Sequence, residues 1–519
     1  MTTDLGTSSV THAVIPAPLA VEQGDGTPVP LADVVVVAPD ERLAALAAEL
    51  LVPAGVTVVG AVTTVTDAGA LAGPTTLTLT LDPASGPAGS DHPERYTLRA
   101  ADGAVAVTAP ERVGLLHGVR TLVRLVEGPA QDGAPAVRPV VVQDEPRYGW
   151  RGLSLDVVRH FFGPADLRAV VDLVASYKMN RLHLHLSDDQ GWRLEIPSRP
   201  ELVARSSQTA VDGAPGGYLT VEEFRALQEY AAERFVTVIP EIDVPGHVNA
   251  ATHAYGELTP DGTPTDAYEG IEVGFSRLHL DLPATEPFLR DVLTDVARMT
   301  DGPWVHFGAD EVLTMEGAEY AGFIKLCQEI IRAAGKIPVG WQEAGGAQTG
   351  SHDHAVAPKP EPVEPEVMRV LPGTVLQYWD TRPDSAVFVR AAEAGARFVL
   401  SPATSCYLDM KYAPGHELGI EWAGFVELRD SYDWEPAEVI PGLPEAALEG
   451  VSACVWTETL ATRDQLFSML LPRLPAVAEA GWSVPAAKDW ESFRSRVATE
   501  AGAWRRDGLA YHPTPQVDW

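Results

Sequence analysis

From residue 146 onward, short apolar segments of strand length alternate with longer segments in which apolar residues recur at helical spacing. Short apolar runs between turn residues are typical of buried strands, and a period near 3.6 is typical of amphipathic helices. The pattern predicts strands at 152–155, 181–186, 236–242, 304–307, 338–341, 375–379, 398–401 and 451–456. It predicts helices at 164–177, 221–234, 287–300, 317–334, 385–394 and 463–480. Strands and helices alternating in this way over about 370 residues predict a (β/α)₈ TIM barrel of the α/β class.

The first 145 residues follow a different pattern, in which no cluster of carboxylates and histidines occurs. Strands are predicted at 31–37, 56–59, 75–81, 96–99 and 104–108, and helices at 39–51 and 111–126. The last two strands flank Asp102-Gly103, a typical hairpin turn. We therefore predict a smaller α+β accessory domain with a structural role at 1–145, followed by the barrel domain at 146–519.

Polar and aromatic residues follow almost every predicted barrel strand. In a TIM barrel the functional site forms at these C-terminal strand ends. Tryptophan is unusual there, because the barrel interior prefers branched aliphatic residues. Aromatic faces beside carboxylates suit a sugar, which presents C–H faces together with hydroxyl groups. The strand-end residues in chain order are Asp156, Arg159, Asp188, Asp189, Glu241, Asp243, His247, His306, Asp310, Glu311, Trp341, Trp379, Tyr407, Asp409, Trp456 and Glu458.

Two adjacent carboxylates, Asp310 and Glu311, follow the fourth predicted strand after the small pair Gly308-Ala309. Small residues allow backbone to approach a ligand closely, and a carboxylate pair suits general acid–base chemistry. A simpler interpretation is that Asp310 caps the following helix and Glu311 lies in its first turn. The matching polar residues at the other strand ends favour the catalytic interpretation.

The charge balance narrows the class of partner. Lys and Arg number 38 against 72 Asp and Glu, giving a net charge of −34 over 519 residues. Nucleic-acid binders concentrate positive charge, so we expect no nucleic-acid partner and a neutral or cationic ligand instead. The three cysteines, Cys327, Cys406 and Cys454, show no metal-ligand spacing and no disulfide framework. We interpret them as reduced thiols.

The beginning of the sequence shows no basic segment followed by an apolar one, as an export signal would. No apolar run reaches the ~18 residues of a membrane span. The expectation from these features is a cytoplasmic protein with no membrane partner.

A metal-dependent hydrolase barrel is an alternative interpretation. His183 and His185 lie on one face of the second strand, and with His247 and His306 they offer imidazole ligands for zinc. The histidines of that strand precede its end, however, which Asp188-Asp189 occupies. We therefore expect His183 and His185 to be packed, hydrogen-bonded barrel residues, and we expect no metal and no cofactor.

Four motifs in the barrel resemble glycoside hydrolase family 20, the β-N-acetylhexosaminidases. The resemblance covers about residues 146–482, and the first domain resembles the family's N-terminal α+β domain. Ala309 stands where the family usually has a second glycine, Gln342 where Asp is common, and 351–366 look like an insertion. The motifs are Asp156-Val-Val-Arg159-His160-Phe-Phe, His183-Leu-His-Leu-Ser-Asp-Asp-Gln-Gly-Trp192, Pro240-Glu-Ile-Asp-Val-Pro-Gly-His247 and His306-Phe-Gly-Ala-Asp-Glu311.

The resemblance implies a retaining exo-enzyme that removes terminal N-acetylglucosamine or N-acetylgalactosamine from a small saccharide such as chitobiose. The nucleophile would be the substrate's own 2-acetamido oxygen. It implies that Glu311 is the acid and base and that Asp310 stabilises the acetamido group. Side chains that are neighbours on an extended stretch point apart, so the two could serve different ends of one sugar. It further implies substrate-binding roles for Arg159, Trp341, Trp379, Tyr407, Asp409, Trp456 and Glu458, and supporting roles for Asp188, His247 and His306.

A second hypothesis of another class remains at this point: a non-catalytic carbohydrate-binding protein on the same scaffold, since a fold alone does not define a function. The presence of both Asp310 and Glu311 favours catalysis.

Overall fold

The structure is a computed structural model, and it describes residues 14–63, 75–127, 135–347 and 370–519. The predicted insertion at 351–366 lies outside these residues. Within them, no helix has both the length and the apolar character required to cross a membrane.

In its described residues, the first domain contains a mixed seven-stranded sheet, in the order β1-β9-β6-β7-β5-β3-β4, and two helices. In β5, every second residue from Thr75 to Leu79 is buried. These side chains lie on one face of the strand, which packs against the helices. The predicted hairpin is confirmed, because β6 and β7 pair antiparallel across Asp102-Gly103. The strands are β1 Ala20–Gln23, β2 Val29–Pro30, β3 Val34–Val37, β4 Val58–Val62, β5 Thr75–Leu81, β6 Tyr96–Ala101, β7 Ala104–Ala109, β8 Ala136–Val137 and β9 Val140–Asp144, and the helices are α1 Glu41–Leu51 and α2 Arg112–Leu125.

Eight parallel strands close into a barrel, which confirms the predicted TIM fold. They are β10 Trp150–Asp156, β11 Arg181–His185, β14 Thr237–Glu241, β15 Trp304–His306, β16 Ile337–Trp341, β17 Val375–Tyr378, β18 Arg397–Leu400 and β19 Leu448–Val455. A small hairpin, β12 Ser187–Asp188 with β13 Gly191–Trp192, follows the second barrel strand. The helices are α3 Pro164–Ser176, α4 Glu201–Ser206, α5 Val221–Glu233, α6 Asn249–Ala254, α7 Thr285–Met299, α8 Gly317–Ala333, α9 Ser385–Glu393, α10 Ala403–Cys406, α11 Leu428–Tyr432, α12 Arg463–Leu470, α13 Arg473–Trp482 and α14 Trp490–Arg506.

Apolar side chains fill the lower part of the barrel interior. Trp150, Ile239, Val339, Val375 and Val399, each from a different strand, form one buried cluster there. Such a layer closes the barrel below, so polar side chains collect at the opposite, C-terminal ends of the strands.

Two features of the last part of the chain differ from the prediction. The helix predicted at 463–480 divides into α12 and α13, because Pro472 has no backbone N–H and its ring obstructs a continuing helix. Helix α14 was not predicted, although its buried Phe493, Val497, Ala501 and Trp504 have helical spacing.

Buried ion pairs join the two domains. Lys178, directly after α3, lies 2.9 Å from the carboxylate of Asp144 at the end of β9. Arg151 in β10 lies 2.5 Å from Glu94, which also contacts His117 of α2 at 2.9 Å. Because one partner in each pair belongs to the sheet domain, these charges fix how that domain sits on the barrel.

Helix α14 contacts both domains and the start of the described chain. Its Arg496 pairs with Glu479 of α13 and donates to the backbone carbonyl of Val14 at 3.0 Å. Its Glu500 pairs with Arg124 of α2 at 3.0 Å and accepts from the Tyr177 hydroxyl. The last helix therefore completes the interface between the domains.

Candidate active site

The turn after β15 carries the two predicted catalytic carboxylates. Its residues Gly308, Ala309 and Glu311 have φ angles of 67°, 86° and 49°, in the left-handed region. The expectation of an extended stretch is therefore wrong. The helix-capping interpretation is also wrong, because α8 begins only at Gly317 with Glu316 as its N-cap. Asp310 and Glu311 instead lie buried in a tight loop at the barrel mouth.

Asp243, at the end of the third barrel strand, holds this turn from below. Its Oδ1 accepts from the Ala309 backbone N–H at 3.0 Å. A side-chain Cβ on Gly308 would lie 1.8 Å from the same oxygen, so only glycine fits. The turn is held on the other side by the Tyr320 hydroxyl, which donates to the Ala309 carbonyl at 2.6 Å.

Burial and neighbouring charges raise the pKa values of two adjacent carboxyl groups, Asp310 and Asp243, by different amounts. Burial raises the pKa of Asp310 to about 6; His247 opposes this shift and Glu311 adds to it. Burial and the nearby Asp310 raise the pKa of Asp243 well above its ordinary range. The raised pKa favours the protonated form of Asp243, which can donate to Asp310, whose Oδ1 meets no hydrogen-bond donor among the described residues.

A chain of charged groups runs behind Glu311. The His247 Nε2 lies 3.5 Å from Glu311 Oε2, and its Nδ1 lies 3.1 Å from Asp188. Asp188 also binds Arg159 at 2.7 Å and His185 at 2.9 Å. Although burial opposes the charged form, Asp188 and Glu311 raise the pKa of His247 well above its ordinary range. A positive imidazole therefore faces the carboxyl group of Glu311.

Glu241 is the centre of a buried polar layer under the site. His183, His185 and His306 each place a ring nitrogen within 3.1 Å of its carboxylate, and Trp341 Nε1 donates to it at 2.8 Å. Burial opposes the charged form of His185, but Glu241 and Asp188 raise its pKa to about 10. The structure thus confirms that His183 and His185 are packed and hydrogen-bonded.

Four of the predicted aromatic residues form one wall. Trp341 and Trp456 have ring centroids 5.8 Å apart, and Tyr407 lies 6.4 Å from Trp456 and 6.2 Å from Trp379. Trp422, which the sequence did not single out, completes the wall at 5.6 Å from both Trp379 and Tyr407. The other four were identified because they lie at or near the ends of predicted strands, whereas Trp422 lies in a loop far from any strand end.

The polar residues predicted to bind sugar hydroxyls lie near Trp456 and carry coupled charges. Burial and the nearby Glu458 raise the pKa of Asp409 well above its ordinary range. Burial also raises the pKa of Glu458, while Arg159 opposes that shift. The Arg159 guanidinium stacks 5.1 Å from the Trp456 ring. The structure therefore brings the three predicted hydroxyl ligands together around one end of the aromatic wall.

Gln342 fixes one face of that wall. Its side-chain oxygen accepts from the backbone N–H groups of Trp379 and Asp380 at 2.8 and 3.2 Å. Its amide nitrogen donates to the Asp380 carbonyl at 3.1 Å. A carboxylate could make only the first two bonds, because only the amide nitrogen can donate to the Asp380 carbonyl.

Clusters of histidine and carboxylate ligand atoms do exist here. In one of them, His183, Glu241 and His306 offer ligand atoms within 4.8 Å of one another. In the structure these atoms contact each other, and His183 Nδ1 lies 2.9 Å from the Ser154 hydroxyl. The Nε2 of His306 is buried without a hydrogen-bond partner among the described residues.

An acid pair beneath an aromatic pocket at the mouth of a TIM barrel defines the protein as a glycoside hydrolase. The profile of "Glycosyl hydrolase family 20, catalytic domain" matches residues 148–485, and that of "Glycosyl hydrolase family 20, domain 2" matches residues 11–145. The chain belongs to glycoside hydrolase family 20. This assignment does not favour a non-catalytic binding protein or a metal-dependent hydrolase.

Individual relatives agree with the family. A beta-N-acetylhexosaminidase of Cellulomonas fimi is 52% identical over 426 residues, which cover 82% of each chain. The solved GH20 beta-N-acetylhexosaminidase of Streptomyces coelicolor A3(2) is 40% identical, with a TM-score of 0.86 and 99% of each chain covered. A mutant Streptomyces plicatus beta-hexosaminidase solved with the product GlcNAc is 39% identical, with a TM-score of 0.87, covering 99% of this chain and 98% of that one.

Proposed function

We propose that this protein is a retaining exo-β-N-acetylhexosaminidase that removes terminal N-acetylglucosamine or N-acetylgalactosamine from short saccharides such as chitobiose. The observation that carries the proposal is the pair Asp310 and Glu311, set in one turn but given different partners. Asp310 Oδ1 has no hydrogen-bond partner among the described residues, whereas Glu311 Oε2 lies 3.5 Å from the His247 imidazole, whose pKa is raised well above its ordinary range.

In the first step, the acetamido carbonyl oxygen of the substrate attacks its own anomeric carbon, forming an oxazolinium-type ring. Glu311 gives its proton to the departing glycosidic oxygen. Asp310 accepts from the acetamido N–H and stabilises the positive charge that develops on that group, while the Tyr407 hydroxyl donates to the acetamido oxygen. In the second step, Glu311 takes a proton from water, which attacks the anomeric carbon and restores the acetamido group.

The pocket walls support this reaction by fixing the attacking group. Trp341, Trp379 and Trp456 enclose the sugar on its apolar faces, and Arg159, Asp409 and Glu458 bind its hydroxyl groups. Holding the acetamido oxygen near the anomeric carbon removes most of the entropic cost of bringing them together. Substrates without a 2-acetamido group should therefore be essentially inert.

The two carboxylates can be distinguished by kinetics. Glu311→Gln should lower kcat/KM by about 10²–10⁴-fold for poor leaving groups and much less for activated aryl glycosides, which depart without a proton. Asp310→Asn should keep its penalty for every leaving group, because it removes charge next to a developing cation. The measurement is kcat/KM across a series of leaving groups for both variants and the parent. An equal fractional loss for Glu311→Gln at every leaving-group pKa would show that Glu311 is not the acid.

A metal requirement is tested in the same assay. We expect chromogenic β-N-acetylglucosaminide and β-N-acetylgalactosaminide to be hydrolysed at unchanged rates after EDTA treatment, because the proposed mechanism uses carboxylates and the substrate alone. Activity that disappears in EDTA and returns with zinc would support the metal-dependent alternative, and binding without hydrolysis would support the carbohydrate-binding one.

A further inference from the structure

A cavity of about 620 Å³ lies between the two domains, away from the barrel mouth. Its walls come from α1 and α2 of the sheet domain, from α3 of the barrel and from α14. Tyr177 and Arg234 line it, and these residues lie just before β11 and β14, at the strand ends opposite to Asp310. The proposed hydrolysis makes no use of this cavity.

Arginine is concentrated in the cavity lining, in a chain whose net charge is −34. The lining contains five arginines and four carboxylates. These arginines are Arg120, Arg124, Arg234, Arg463 and Arg506, and the carboxylates are Glu49, Asp172, Glu500 and Asp507.

Each carboxylate of the lining is already paired with an arginine other than Arg120. Glu500 binds Arg124 at 3.0 Å. Asp172 and Glu49 both bind Arg234, at 2.5 and 3.2 Å. Asp507 binds Arg506 at 3.2 Å. Every carboxylate of the cavity lining therefore has an ion-pair partner other than Arg120.

Arg120 is buried, with 3% of its surface exposed, and has no carboxylate within ion-pair distance in the part of the chain that the structure describes. One guanidinium nitrogen contacts His117 Nδ1 at 3.2 Å, and another donates to the Arg234 carbonyl at 3.0 Å. Its Nε is buried without a hydrogen-bond partner. Both contacts are to uncharged atoms, so the positive charge of Arg120 has no counter-ion.

The surroundings increase this imbalance. Burial, together with the nearby Arg124 and Arg234, lowers the pKa of Arg120 to about 9, and Glu94 and Asp172 oppose this shift only in part. The Arg234 carbonyl stands at the C-terminal end of α5, where the helix dipole supplies roughly half a negative charge. That partial charge does not neutralise a full guanidinium beside two others. A buried charge without a partner is costly, and an anion bound in the cavity would remove the cost.

We propose that this interdomain cavity binds a small organic oxyanion, with its phosphate or carboxylate group on Arg120. Apolar side chains line the rest of the cavity, so the ligand should also carry an apolar part. Those side chains include Leu46, Leu50, Val123, Leu173, Trp504 and Leu509. Because the cavity is bounded by both domains and by α14, the bound ligand would stabilise their association.

The test is calorimetric titration of the whole protein with phenyl phosphate, benzoate and inorganic phosphate, at an ionic strength held constant with sodium chloride. We expect saturable binding, with the aromatic anions binding more tightly than inorganic phosphate because they add apolar contact. The stronger of phenyl phosphate and benzoate identifies the anionic group. No saturable binding of any of the three, or binding of inorganic phosphate as tight as that of the aromatic anions, would overturn the proposal.

Variants locate the site. Arg120→Met should weaken binding at least about tenfold, since a charge-assisted contact is lost. Arg506→Met is the matched control: it removes another arginine of the same cavity, but one already paired, and should change the affinity by less than about twofold. If Arg120→Met does not fold, Arg120→Gln keeps hydrogen-bonding capacity without charge and should show the same loss. Unchanged affinity in the Arg120 variant, or equal loss in the Arg506 variant, would place the anion elsewhere.

Discussion

At the scale of single residues, the most consequential feature is the coupling between Asp243 and Asp310. The pKa of Asp243 lies well above its ordinary range and that of Asp310 is raised to about 6 by burial, with Glu311 adding to the shift and His247 opposing it. The raised pKa favours the protonated form of Asp243, which can then donate to Asp310 and orient it. This is how a carboxylate can be kept both buried and ionised next to a developing cation.

The raised pKa of Asp310 predicts the acid limb of the pH profile. Asp310 must be ionised to accept from the acetamido N–H, so kcat/KM should fall about tenfold per pH unit below pH ~6. Asp310→Asn should lose this limb from its residual activity. Asp189, whose pKa burial and Asp188 also raise to about 6, supplies the control, because Asp189→Asn should keep the limb. If the acid limb persists in Asp310→Asn and disappears in Asp189→Asn, then Asp189 and not Asp310 produces it.

Gly308 predicts a second result at this scale. An alanine Cβ there would lie 1.8 Å from Asp243 Oδ1, at a φ of 67°. Gly308→Ala should displace Asp243 and Asp310 together and lower kcat/KM at least about 100-fold, since misplacement of a catalytic group by an ångström has an effect of that size. Gly335→Ala is the control, because Gly335 has a φ of 82° and open space around its Cα. It should lower Tm through backbone strain and leave kcat/KM unchanged.

Most of the site residues could be predicted from the sequence because TIM-barrel geometry places every strand end in one region. The conformation of the turn could not. Ala309 has a φ of 86°, which alanine adopts at a cost, and only the contacts with Asp243 and Tyr320 impose it. Tyr320 and Trp422 were missed for the same reason, because their roles depend on a loop and a helix folding back over the strand ends.

At the scale of elements, Arg473 at the start of α13 holds the loop that carries Tyr407 and Asp409. Its guanidinium donates to the backbone carbonyls of Leu408 at 2.5 Å and Met410 at 2.8 Å. It thereby fixes the backbone between two residues that we assign to substrate binding.

Arg473→Lys should raise KM about tenfold and lower Tm, because an ammonium cannot reproduce the planar fork that binds several carbonyls at once. Arg95→Lys is the matched control. Arg95 also donates to three backbone carbonyls, those of Pro83, Ser85 and His92, but in the sheet domain. It should lower Tm without changing KM. Equal effects of both variants on KM would show that Arg473 acts only through stability.

The elements themselves were largely predictable, since buried parallel strands are short, continuous and apolar. The second and fourth barrel strands begin at the predicted residues, Arg181 and Trp304. Helix α14 was missed because it packs on the outside of the barrel and against α2, so its apolar face is interrupted by the buried Arg496 and Glu500. Those two side chains are explained only by partners far away in the sequence.

At the scale of the whole molecule, the ion pairs of Glu94 allow a direct test of how the domains are joined. Burial alone would raise its pKa, but Arg151 and His117 outweigh burial and lower the pKa below its ordinary range. A carboxyl group whose pKa is lowered by folding stabilises the protein above its unfolded pKa, and this contribution is lost as the pH falls below it.

Glu94→Gln should therefore lower the free energy of unfolding by about 3 kcal/mol or more at pH 7, as expected when a buried ion pair loses one partner. The difference from the parent should shrink as the pH falls below about 4.3, because the unfolded parent then takes up a proton on Glu94 while the folded parent keeps the carboxylate. Denaturant unfolding at several pH values measures this difference. Glu127→Gln is the control, because its pair with Arg138 is exposed and should contribute little. A difference that stays constant with pH would contradict the assignment.

The contact between α14 and the sheet domain also orders events during synthesis. The last strand of that domain ends at Asp144, and Glu500, the partner of Arg124 in α2, is made 356 residues after that strand end. At about 5–20 residues per second, roughly 20 to 70 s separate the two. Throughout that interval Arg124 of the sheet domain lacks its partner from α14. The contact between α14 and the sheet domain can therefore form only after the interdomain pairs of Arg151 and Lys178, whose residues are made much earlier.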